Sequence, residues 1–302
     1  MFFAFIYPLL DEQALASVDM ATSWMSGSHQ ISVVITCFDR EELIGFAITS
    51  AISEFPDAHI IVVDDFSSDA SRERICSDFR NEMKQGQLKL IQRHVNGGVT
   101  AAKNTGFRFA RSTWVLFLDS DDIFIAGCRD AVIQTLTASE TYPAVFFRCF
   151  DHLDKPVGGA IIQAQEVNLT DFLIHGSKGE VLTAINKPLI APTLPYFGSL
   201  RGYEGLGICR ILERYGVALN SPVFARIYHR NTAGNLSAPL NVIRRARLLS
   251  FGHRMLIKRY SGQMPQKTLL AYRLKALIYG AISSINLSFQ SGHATRFSKP
   301  TD

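Results

Sequence analysis

Between Trp114 and Leu118 the chain reads Trp-Val-Leu-Phe-Leu, and it runs straight into Asp119-Ser-Asp-Asp122. A short, unbroken apolar run has no polar face to offer water, so it predicts a strand buried on both sides of a parallel sheet. In open sheets of that kind, ligands sit just beyond the carboxyl ends of the strands. Residues i and i+2 of an extended chain share a face, so Asp119 and Asp121 can aim at one point. Carboxylates that close repel unless protons or a cation intervene. Hard oxygen ligands with no His or Cys beside them suit Mg²⁺ or Mn²⁺. The competing reading of an isolated Asp-Ser-Asp is an acidic turn that caps the next helix.

The flanking sequence repeats this arrangement. Ile31–Thr36 is a compact apolar run followed by the loop Cys37-Phe-Asp-Arg40. Apolar residues at 43, 44, 47, 48, 51, 52 and 55 then mark one face of a helix that ends at Pro56. Ile60–Val63 is the next strand and finishes at Asp64-Asp65, with a helix expected over 70–84 behind the turn Phe66-Ser-Ser-Asp69. Leu88–Ile91 is a third strand, Asn96-Gly-Gly98 a turn, and Val99–Arg111 a helix. Alternating strands and helices predict βαβ units in a doubly wound α/β sheet. Right-handed crossovers bring the strand ends to one rim, so Thr36, Asp64/Asp65 and Asp119/Asp121 should meet there although they are far apart in sequence.

Beyond Asp122 the pattern loosens. A helix near 128–138 and the strand Val145–Cys149 precede a Gly- and Pro-punctuated stretch, 151–200, read as irregular lining of a functional site. A helix over 207–215, a strand Val223–Tyr228 and two amphipathic helices, about 240–260 and 267–289, complete the chain. The second of those helices has apolar residues at 270, 274, 277, 278, 281, 282 and 285. Charge divides at the same boundary. From Leu240 onward there are eleven Lys/Arg against the single acid Asp302, whereas the whole 302-residue chain carries only +4. A basic tail behind an acidic body calls for an anionic surface. The five cysteines are scattered and odd in number, which argues against a disulfide framework or zinc site and for a reducing cytoplasmic location. The apolar start Met1–Leu10 lacks a basic region, is broken by Pro8 and is too short to span a bilayer.

Four segments in register resemble the family 2 glycosyltransferases. They are Ile31-Ser-Val-Val-Ile-Thr-Cys-Phe-Asp-Arg40, Val63-Asp-Asp-Phe-Ser-Ser-Asp69, Asn96-Gly-Gly-Val-Thr-Ala-Ala-Lys-Asn-Thr-Gly106 and Phe117-Leu-Asp-Ser-Asp-Asp122. The resemblance is close over about 29–125 and weaker to about 239. It implies a GT-A fold, with a Rossmann-like, mostly parallel sheet flanked by helices and a smaller mixed acceptor half, plus C-terminal helices. The implied division is an N-terminal extension 1–28, a nucleotide-sugar-binding half 29–125, an acceptor-binding half 126–239 and a basic helical tail 240–302.

The resemblance further implies a UDP-sugar donor and a divalent Mn²⁺ or Mg²⁺. Asp65 would accept from the uracil N3–H, with Thr36 and Phe38 lining the base pocket. Lys103 would reach ribose or diphosphate, unless it lies on a solvated helix face. Asp121 would contact the metal, Asp119 the ribose or a metal-bound water, and Asp122 the metal or the acceptor. His229, in the distal segment Arg226-Ile-Tyr-His229 and Gly234-Asn-Leu-Ser237, would complete metal or diphosphate binding if it is not simply structural.

An inverting transfer to a glycan or lipid-linked saccharide acceptor needs a general base. The family supplies an acidic pair; here the matching stretch is Tyr203-Glu-Gly-Leu-Gly207, so Gly205 replaces the second acid and Glu204 is the base expected. The same glycine leaves open a non-catalytic member that binds nucleotide sugar or glycan. The tail has two readings, a peripheral amphipathic surface on an anionic inner membrane leaflet or two helices packed on the body with a solvated basic face. No nucleic acid partner is expected.

Overall fold

The computed structural model describes residues 31–229 and 239–294. The extension 1–28 and the segment Gly234–Ser237 lie outside these residues. The first half is built as the alternation predicts: β1 (Ile31–Cys37), α1 (Ile44–Glu54), β2 (His59–Asp64), α2 (Ser71–Asp78), α3 (Arg80–Lys84), β3 (Leu88–Gln92), α4 (Val99–Phe109) and β4 (Trp114–Asp119). The helix expected over 70–84 is two short helices that meet at Phe79, a buried side chain.

The second half contains β5 (Ile123–Phe124), α5 (Arg129–Thr137), β6 (Ala144–Asp151), β7 (Gln165–Val167), α6 (Leu169–His175), β8 (Val181–Asn186), α7 (Lys187–Ile190), α8 (Glu204–Tyr215) and β9 (Ala218–Tyr228). The tail forms α9 (Pro239–Arg244), α10 (Ala246–Tyr260) and α11 (Gln266–Ala294). The stretch 151–200 is therefore not irregular throughout. Its β8 is inserted in mid-sheet, antiparallel to both β4 and β6.

One nine-stranded sheet runs through both halves in the order β3-β2-β1-β4-β8-β6-β9-β5, with β7 pairing on β9. Strands β1 to β4 are mutually parallel, and the second half is mixed. The central strands are buried along nearly their whole length, which explains their continuous Val/Ile/Leu runs. One core layer packs α1 against Ile35, Ile60 and Leu116; the other packs α4 and α8 against Val34, Phe117 and Phe146. Gly106 permits the second layer, because a Cβ there would lie 2.3 Å from Val34 Cγ1.

α10 packs on the body through Leu256 and Tyr260, joined by Met264 just beyond its end, and Arg259 pairs with Glu213 at 2.6 Å. α11 lies on α10, where Ser250 donates to the Ala276 carbonyl. Its residues Leu270, Leu274, Leu277, Ile278 and Ile285 are exposed. No helix among the described residues is long and apolar enough to cross a membrane.

Candidate active site at the strand rim

The register of three strands assembles the site. Thr36 stands beside Asp119 across β1 and β4, and Cys37 beside Asp64 across β1 and β2. A cavity of about 1230 Å³ opens at this rim, lined among others by Thr36, Phe38, Asp65, Lys103, Asp119, Asp121, Glu180 and Glu204. Residues of both halves therefore face one space.

The Asp64/Asp65 pair divides its work. Asp64 accepts from the Ser67 N–H at 3.2 Å and so holds the turn, whereas Asp65 lies on the cavity. Asp65 accepts the backbone N–H of Gly97 at 3.1 Å and of Gly98 at 2.6 Å, and is paired with the Arg93 guanidinium. A carboxylate offers about four acceptor positions, so room remains for one further donor. Gly98 adopts φ +84°, a backbone state that glycine reaches at little cost. Arg93 is absent from the sequence reading although it follows β3 directly, where a strand-end rule would have found it.

Lys103 is not on a solvated face. It is buried on α4, and its Nζ lies 2.9 Å from Asp119 and 2.6 Å from Glu204, bridging carboxylates of the two halves. Burial pulls the ammonium down, but Asp119 and Glu204 together raise it above its ordinary range. Burial would likewise raise Asp119; Lys103 and Arg226 outweigh it and hold that carboxyl below its usual range.

Arg226 is the second cation that sequence reasoning missed. It is 3% exposed on β9 and reaches Asp122 at 3.0 Å and both Asp119 and Glu180 at 3.5 Å. An arginine inside an apolar strand was the available signal, since a buried guanidinium requires partners. Asp122 is 1% exposed and is held by Arg226 and by the His229 backbone N–H at 3.0 Å. Glu180, just ahead of β8, is half-exposed; burial raises its carboxyl against the pull of Arg226.

His229 is not brought to the rim with Asp119 and Asp121. Its ring Nδ1 is 4.0 Å from Asp122, and it does not line the cavity. Among the described residues, no group of three or more His, Cys, Asp or Glu is placed to hold a metal ion. The three-ligand set of Asp119, Asp121 and His229 is thus not formed. Asp119 and Asp121 still suit a hard cation, because Mg²⁺ is commonly held by one or two carboxylates together with substrate phosphates.

A parallel sheet extended by a mixed half, with carboxylates at the switch between them, defines the GT-A class. Solved structures agree. The mannosyltransferase of Pyrobaculum calidifontis, in complex with GDP-Man and Mn²⁺, aligns with TM-score 0.57 at 17% identity over 91% of this chain and 82% of its own. Residues 1–349 of S. aureus TarS, in complex with UDP-GlcNAc, align with TM-score 0.56 at 17% identity over 76% and 66%.

The model of glycosyl transferase family 2 matches residues 32–156, and this stretch belongs to that family. Two curated relatives are 30% identical. One is the Campylobacter jejuni GalNAc(5)-diNAcBac-PP-undecaprenol beta-1,3-glucosyltransferase, over 53% of both chains. The other is the Escherichia coli UDP-Glc:alpha-D-GlcNAc-diphosphoundecaprenol beta-1,3-glucosyltransferase, over 54% of this chain and 63% of that one. The chain thus spans about half to two thirds of the length of these relatives.

Proposed function

We propose that the chain is an inverting glycosyltransferase of polysaccharide biosynthesis, moving a sugar from a UDP-sugar to a glycan or lipid-linked saccharide. The observation that carries this is the single cavity shared by Thr36, Asp65, Asp119 and Asp121 of 29–125 and by Glu204 of 126–239. UDP-GlcNAc in one solved neighbour and the diphosphoundecaprenol acceptors named for both relatives support it.

In this reading Thr36 and Phe38 flank the uracil and the remaining acceptor position of Asp65 takes its N3–H. Asp121, with Asp119 beside it, would hold Mn²⁺ or Mg²⁺, which when bound supplies positive charge to the departing diphosphate. Glu204 takes the proton of the acceptor hydroxyl as its oxygen bonds to the anomeric carbon, while the bond to UDP breaks and UDP leaves with the electron pair. Lys103 orients the Glu204 carboxylate through their 2.6 Å contact.

That contact also favours a second reading. A carboxylate already paired to a buried cation, with Gly205 beside it, suits a member that binds nucleotide sugar or glycan without turnover. Assay of UDP release from a panel of UDP-sugars with Mn²⁺ separates the two. Turnover that disappears in Asp121→Ala supports the enzyme. Tight UDP binding with no turnover for any donor supports the binding protein, and activity unchanged in Asp121→Ala sinks the donor-site assignment.

We place the protein on the cytoplasmic side of an anionic membrane. The exposed apolar stripe of α11 would lie in the interface, with Lys267, Arg273 and Lys275 near the headgroups.

A further inference from the structure

Four of the six carboxylates that line the cavity are paired with cations of the body. Asp65 has Arg93, Glu204 has Lys103, Glu180 has Arg226, and Asp119 has both Lys103 and Arg226. Two of the three arginines that the tail adds to the same cavity stand apart from such pairs. Arg244 closes α9 and Arg247 lies in the first turn of α10. Both have exposed side chains on the cavity, and neither pairs with a carboxylate among the described residues.

This basic wall is anchored to the donor turn. Arg245 donates to the Arg201 carbonyl at 2.9 Å, and the Arg201 guanidinium donates to the carbonyl of Asn96, next to the glycines that hold Asp65. A Cβ on Gly98 would lie 2.8 Å from Arg201 Cγ, so the two segments are in direct contact.

Unmatched guanidinium groups in a concave site focus positive potential, and their planar donors suit phosphate oxygens. The ligand they await has an apolar part as well. Leu248, next to Arg247, and Phe251, one turn on, line the cavity from α10, and Phe251 is 55% exposed. At about 1230 Å³, the cavity exceeds the roughly 300–1,000 Å³ usual for one small ligand. These arginines also lie well beyond 32–156, the stretch matched to the family.

We propose that Arg244 and Arg247, backed by Arg201 and Arg245, form a subsite for the diphosphate that links the acceptor saccharide to a polyprenyl lipid. The proposal rests on the glycosyltransferase reading and assigns the acceptor's anionic linkage to the C-terminal helices. The arginine wall thereby recognises the headgroup, while the exposed face of α11 meets the bilayer.

The test uses the full chain saturated with UDP, titrated with farnesyl diphosphate, inorganic pyrophosphate or farnesol. Farnesyl diphosphate should bind alongside UDP and more tightly than either other probe. The double variant Arg244→Ala/Arg247→Ala should weaken it by about tenfold or more, as loss of charge-assisted hydrogen bonds implies. The variant's affinity for UDP should be unchanged, which also reports an intact fold.

Mutual exclusion of farnesyl diphosphate and UDP would assign the arginines to the donor and overturn the proposal. Equal binding by wild type and variant would do the same. Pyrophosphate binding as tightly as farnesyl diphosphate would replace the lipid headgroup with a free phosphate. Failure of the wild type to bind UDP would instead sink the donor reading, and the arginine wall would be judged on farnesyl diphosphate alone.

Discussion

Lys103 concentrates the electrostatics of the site in one side chain. It joins Asp119 to Glu204, a residue 101 positions away in the chain. Lys103→Met keeps the length and removes the charge, leaving two partly exposed carboxylates without their shared cation. We expect a stability loss of about 1–3 kcal/mol, below the cost of breaking a fully buried pair, measured by urea unfolding. The pH dependence has a definite sign. A carboxyl held below its ordinary pKa by the fold contributes stability that is complete above that ordinary range and is lost as pH falls through the depressed value. Lys103→Met should therefore move acid unfolding to higher pH, and an unmoved midpoint would show that Arg226 alone governs Asp119. Glu204 and Glu180 are separated by a different measurement. If Glu204 is the base, Glu204→Gln lowers kcat by about 10²–10⁴ with donor KM little changed. A loss of that size in Glu180→Gln, with Glu204→Gln active, moves the role to the carboxyl that burial has raised. Asp119 and Asp121 were legible in the sequence because a buried strand ends on them. The partners of Lys103 were not, since chain separation of that order carries no local signal.

Among the elements, the parallel half follows from patterning that is consistent at every level, with buried apolar strands, striped helices and Gly or Pro at the breaks. β8 follows no such rule. Val181–Asn186 is six residues in a Gly- and Pro-rich setting, and its place between β4 and β6 depends on partners its own sequence does not name. Glycines test whether helix placement or helix propensity governs an element. At Gly106 a Cβ meets Val34 at 2.3 Å, whereas at Gly45 on α1 nothing lies within 4 Å. Gly45→Ala should stabilise by up to about 1 kcal/mol through helix propensity alone. Gly106→Ala gains the same propensity but must push α4 off β1, and overpacking costs about 1–3 kcal/mol. Thermal unfolding should show opposite shifts for the two variants. Because α4 carries Lys103, Gly106→Ala should also reduce turnover, while Gly45→Ala should not; parallel behaviour of the pair would refute this packing argument.

At the scale of the whole molecule, the charge asymmetry and the two terminal amphipathic helices were readable, but not which way their faces turn. The packed reading of the tail holds for α10, which is seated on the body through Leu256 and Tyr260, whereas α11 turns Leu270, Leu274, Leu277, Ile278 and Ile285 outward. Deleting the tail would expose core residues that α10 covers, so membrane attachment is better tested on the outward face alone. Full burial of a leucine side chain is worth about 1.5–3 kcal/mol, and a basic residue near an anionic surface about 1 kcal/mol. Several of each on one helix suffice for peripheral binding, and the electrostatic share must weaken with salt. The full chain should float with vesicles containing anionic lipid, less with neutral vesicles and less at high salt. Leu274→Glu/Leu277→Glu should stay at the bottom of the gradient while keeping the wild-type unfolding temperature, because both side chains are exposed. Flotation of this variant equal to wild type would remove α11 from the membrane contact. Flotation indifferent to lipid charge would leave the apolar stripe in place and take away the role given to the basic tail.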